Sequence, residues 1–86
     1  MDAIQRLHAH CSVYVEDFNE FRNIFDGYPH RHVFVLSKEP FSSGGLSVLP
    51  RMFWAVETLE GQGWRAVSWY LEAGHSPGVV MRRDLA

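Results

Sequence analysis

The sequence predicts a two-layer α+β domain in the order αβαββ, with a small, mainly antiparallel three-stranded sheet packed with two helices. Three observations lead there. An apolar stripe at alternating three- and four-residue steps runs through the first 25 positions. A β-branched run follows at Arg31–Ser37. Beyond Pro50 an amphipathic segment passes through Gly61-Gln62-Gly63 into two further strand-like runs. The chain reads as one domain, 1–86, with 1–27 as an N-terminal helical extension and 31–83 as a β-α-β-β core.

The first element is read as one long helix over Asp2–Asp26. Ile4, Leu7, Cys11, Tyr14, Phe18, Phe21 and Phe25 fall on one stripe of a 3.6-residue helix. Asp2 is a natural N-cap, Gly27 a left-handed stop, and Pro29 follows it. The alternative is a strand through Cys11–Val15 and a shorter helix from Glu16, because Val13, Tyr14 and Val15 favour strand. Aromatic rings on the stripe suit a helix lying on a sheet better than a coiled-coil seam.

Arg31–Ser37 is the first strand and Lys38–Gly45 a loop, rich in Ser, Gly and Pro. Ser47 is the expected N-cap of the second helix, with Pro50 in its first turn where no N–H is needed. Leu49, Met52, Phe53, Val56 and Leu59 form its expected buried face, and Gly61 ends it. In the strand Trp64–Leu71, strict alternation would point Val67, Trp69 and Leu71 one way and Trp64, Ala66, Ser68 and Tyr70 the other. Val79–Arg82 returns antiparallel and slots between the other two strands, as in a split β-α-β unit.

The run Leu59-Glu60-Gly61-Gln62-Gly63-Trp64-Arg65-Ala66-Val67, with Val80-Met81-Arg82-Arg83, resembles the junction of a small bacterial and phage family to which no activity is assigned. That family carries a Leu-x-x-x-Gly-x-Glu-Gly-Trp-Glu-Leu-Val-like sequence there. The likeness covers about the C-terminal 55 residues. It departs at Gln62 and Arg65, where acids are usual, and the N-terminal segment lies outside it. It implies a fold and a bacterial or phage origin. In it the glycines permit the helix exit and Trp64 plugs the end of the core.

Composition narrows the function classes. Net charge is −2 with 47% hydrophobic and 14% aromatic residues, so the chain is expected to fold and to lack a nucleic-acid or anionic-membrane footprint. One cysteine excludes an internal disulfide, and on the apolar stripe Cys11 should be buried and inert. No signal peptide or long apolar run is present, which makes a cytoplasmic protein the expectation, in the host cytoplasm if phage-encoded.

Five histidines include His30 and His32, which share a strand face, and His75 in a loop. Converging imidazoles would suit zinc, but no Cys or carboxylate stands beside them at ligand spacing, and no cofactor is expected. Ser42-Ser43-Gly44-Gly45 lacks the lysine of a phosphate-binding loop. No nucleophile stands with a partnered base and acid, so the protein is not expected to be an enzyme. A site shared across a homo-oligomer would be the exception.

The aromatic surplus carries the functional expectation. Trp54 lies off the apolar face of its helix near Arg51, and Tyr28, Tyr70 and one of Trp64 or Trp69 are expected to be partly exposed. Trp, Tyr and Arg are enriched at interface hot spots. The expected function is therefore a small interaction module whose partner, another protein or a second copy, meets Trp54, Arg51, Tyr28 and Tyr70. The alternative is a small ligand- or metal-binding protein using His30, His32 and His75.

Overall fold

The computed structural model describes residues 2–20, 24–40, 48–72 and 74–84. Its elements are α1 (Ala3–His10), β1 (Ser12–Tyr14), a 3-10 turn over Val15–Glu20, β2 (His32–Leu36), α2 (Val48–Glu60), β3 (Trp64–Tyr70) and β4 (Gly78–Arg83). The sheet has four strands in the order β1-β2-β4-β3 and is mixed. β1 runs parallel to β2, while β4 lies between β2 and β3 and is antiparallel to both. The α+β class and the central place of the last strand agree with the sequence reading; the strand count does not.

The fourth strand comes from the segment expected to be helical throughout. Asp2 does cap α1: its carboxylate accepts from the Gln5 N–H at 2.8 Å, and the Gln5 side chain accepts from the Asp2 N–H at 2.9 Å. The helix then stops at Cys11, which adopts φ 54° and ψ 33°, a left-handed conformation in which its N–H donates to the Leu7 carbonyl. Beyond it the β-branched Val13, on the extended backbone of β1, and Val15, at the start of the 3-10 turn, are both buried. The long helix over Asp2–Asp26 is thus replaced by helix, strand and 3-10 turn, the arrangement nearer the alternative reading. A stripe of three- and four-residue steps does not register a single left-handed residue, and Cys11 carries no glycine to announce one.

This N-terminal segment belongs to the core. Leu7 and Val13 are fully buried in one cluster with Val33, Val35, Met52, Leu59, Val79 and Met81. Each such side chain contributes about 1.5–3 kcal/mol by leaving water. Glu16 ties the segment to the end of β2: its carboxylate accepts from the Ser37 hydroxyl at 3.2 Å and from the Lys38 N–H. Lys38 Nζ reaches Asp17 at 3.2 Å.

α2 begins and ends near the expected places, but its buried face is rotated. Val48, Met52, Ala55, Val56 and Leu59 face the sheet, while Phe53 is 48% exposed and Leu49 only half-buried. Ala55, fully buried, lets the helix sit close to the strands, and the bulkier Phe53 moves to the flank. Glu60 is followed by a turn whose left-handed residue is Gly63 at φ 94°, two positions after the glycine expected to stop the helix. The expected N-cap Ser47, the Ser42–Gly45 stretch and Phe21 lie outside the described residues.

β3 contains the feature that sequence alternation cannot anticipate. Ala66 faces Met81 and Ser68 faces Val80, so Val67 is an extra residue on the β3 side, a β-bulge. The bulge inverts the facing of everything after it. Trp69 pairs with buried Val79 and so shares the helix-covered face with Trp64. Ser68 and Tyr70 pair with Val80 and Gly78 on the other face. The expected grouping of Trp64 with Ser68 and Tyr70 is therefore corrected. Both helices contribute to the single core cluster, so among the described residues no element covers the second face of the sheet.

Candidate functional site

The residues singled out by sequence do not form one patch. Tyr28, expected at the surface, is 4% exposed. Its hydroxyl donates to the His32 carbonyl at 2.6 Å, and its ring meets Phe25 edge-on at 5.8 Å. Burial pushes its hydroxyl pKa strongly upward; the neighbouring Cys11 adds to this and the Arg83 charge opposes it. Trp64, 3% exposed, packs on Phe25 at 4.8 Å with the Arg83 guanidinium 4.8 Å above its ring. Arg83 also donates to the Tyr28 carbonyl. These aromatics close one end of the core, as the Gly-Trp junction suggested.

Trp54 and Arg51 do stand together. With Val15, Glu16 and Pro50 they line an open hollow of about 480 Å³ between α2 and the 3-10 turn. Trp54 is 45% exposed, and Arg51 approaches Glu39 at 3.8 Å. Tyr70 lies elsewhere, on the open sheet face, with its ring perpendicular to Phe34 at 6.0 Å.

The candidate metal ligands are not gathered either. His32 pairs with Arg82 at one end of the sheet, whereas His75 precedes Gly78, which pairs with Leu36 at the opposite end. His75 is exposed and 3.9 Å from Glu72. His30 is exposed, its ring edge-on to Tyr28 at 5.5 Å. Among the described residues no three His, Cys, Asp or Glu side chains come together as a metal site. Cys11 is half-buried rather than buried, at the rim of a shallow hollow with His10, His32, Phe34 and Val80.

Sequence reasoning missed the most coherent apolar surface. Phe53 of α2 and Trp69 of β3 meet edge-on at 5.7 Å and both remain exposed. Val67 in β3 and Leu71 just beyond it are exposed as well. Among the described residues, the large apolar side chains left exposed, apart from Ile4, all belong to α2, β3 or the position after β3. The strip borders a strand edge, since among the described residues β3 pairs with β4 alone. Two signals point to it in retrospect: a small residue, Ala55, competing with Phe53 for the helix face, and a strand that carries large apolar side chains on both of its faces.

No helix among the described residues is long and apolar enough to cross a membrane. Comparison of the chain with models of protein families, with curated proteins and with solved structures returns no match.

Proposed function

We propose that this chain is a protein-interaction module that binds an extended segment of a partner along the free edge of β3, with Phe53 and Trp69 as apolar anchors. The carrying observation is the coincidence of a strand edge, unpaired among the described residues, with an exposed aromatic pair beside it. Main-chain groups of such an edge supply hydrogen bonds to an added strand, and flanking pockets supply selectivity. The Val67 bulge interrupts the edge, which leaves Ser68–Tyr70 as the pairing segment and discourages indiscriminate association. Trp54 and Arg51 continue the surface around α2. The reading is one of binding in the cytosol, by which a small accessory protein occludes a cognate or host protein; the bacterial and phage family likeness bears on its origin.

The test compares complexes retained from native extract by the wild type, Phe53→Glu, Trp69→Lys and the exposed control Ile4→Glu. Loss in the two strip variants alone is expected, with Ser68–Tyr70 amides protected from exchange in the complex. A partner held equally by all four proteins, or unchanged β3 exchange, overturns the reading. Light scattering identifies the case in which that partner is a second copy.

A further inference from the structure

The second face of the sheet has a chemistry that the overall charge conceals. All ten acidic residues of the chain lie outside the four strands, whereas the strands carry Arg65, Arg82, Arg83 and His32. Register places Arg65, Arg82 and His32 in one row across three strands on the open face, because Arg82 pairs with both of the others. Arg83 points to the opposite face, over Trp64. The carboxylate of Asp84 reaches Arg82 only at 4.0 Å and is itself largely exposed.

Beside the cationic row lies an aromatic platform. Phe34 shares the next row with Val80 and Ser68. The end of its ring lies against Gly78: a Cβ at that position would clash with it. Glycine thus makes room for the end of the Phe34 ring, and the Tyr70 ring stands perpendicular to it. At the far side Tyr14 is already occupied by the Arg6 guanidinium at 4.6 Å and the Lys38 ammonium at 5.3 Å.

From this juxtaposition we infer that the open sheet face binds single-stranded nucleic acid, with one base stacked on Phe34 or Tyr70, whose rings are perpendicular, and phosphates held by Arg65, Arg82 and His32. Stacking on exposed rings beside a cationic track is the general basis of sequence-tolerant single-strand binding. An open sheet presents such rings to unstacked bases, which a duplex does not offer. The low overall charge makes the interaction weak and salt-dependent. The inference concerns a different face from the β3 strip, so the two fail independently.

The experiment is anisotropy of labelled oligo(dT) and oligo(U) of about ten nucleotides, titrated with the intact protein at about 20 mM salt. Saturable binding is expected, with a log–log salt slope of about −1.4 for two neutralised phosphates. Arg65→Ala with Arg82→Ala should weaken it by about tenfold or more. Gly78→Ala, which displaces the Phe34 ring, should weaken it by about fivefold or more. The charge-neutral control Ile4→Gln, at an exposed position of α1, should leave it unchanged, and circular dichroism verifies that each variant is folded. The inference is overturned by no binding, by variants that bind like the wild type, by equal binding of a duplex, or by a dimer occluding this face.

Discussion

The two faces of the sheet are built from the same strands and differ almost completely. The covered face presents Val13, Val33, Val35, Val79, Met81 and Trp64, none more than 4% exposed. The open face presents His32, Phe34, Tyr70, Arg65 and Arg82, all at least partly exposed. Aliphatic volume on one side excludes water and stabilises; rings and cations on the other leave chemistry available. Substitution of the buried residues of the first face should act on folding, and substitution on the second should leave the fold largely intact.

The largest contrast is expected between Trp64→Ala and Tyr70→Ala. Loss of the buried Trp64 ring, with its contacts to Phe25 and Arg83, should cost about 3–5 kcal/mol in denaturant melts. Tyr70→Ala, on the open face, should cost under about 1 kcal/mol. Equal costs would show that the second face is also covered in solution.

Between these extremes lies the tie that holds the N-terminal segment to the sheet. Glu16→Ala removes the acceptor of the Ser37 hydroxyl and the Lys38 N–H, and should cost about 1–3 kcal/mol. A change within error would show that β1 is held by packing alone.

Tyr28 adds a pH dependence confined to the covered side. Its hydroxyl keeps its proton in the fold at pH values where an unfolded tyrosine, with a pKa of about 10, has ionised. Its contribution is therefore complete below about pH 10 and lost progressively above it. Alkaline melts of wild type and Tyr28→Phe should diverge in that range. Parallel curves would place the loss elsewhere.

The smallest effect should come at the hinge between α1 and β1. Cys11→Gly relieves the left-handed backbone but removes a half-buried side chain, for a net change within about 1 kcal/mol. Cys11→Val places a β-branched residue there and should be clearly more destabilising. The reverse order would mean that the side chain, not the backbone, decides this corner.

Much of the fold was legible because it rests on local chemistry. The Asp2 cap, strand β2, the extent of α2, the glycine turn before Trp64 and the return strand β4 follow from spacing, capping and turn residues. The site was less legible, since its parts meet only across strands. Arg65, Arg82 and His32 are far apart in the chain, and only the β2–β4–β3 register sets them in a row. Phe34 reads as an ordinary strand residue until Gly78 is found beneath it. Tyr28 was legible as an aromatic but not as a buried one.

By itself, then, the sequence determined the class, a small α+β domain, and most element positions, because capping, propensity and periodicity act within a few residues. The tertiary structure decided three things. Cys11 took a left-handed turn and Val13 entered the core, which made a strand where the stripe promised helix. Val67 bulged, which exchanged the faces of Ser68, Trp69 and Tyr70. Ala55 outcompeted Phe53 for the helix face. In each case local pattern allowed more than one arrangement, and the observed one is set by pairing and burial against distant strands.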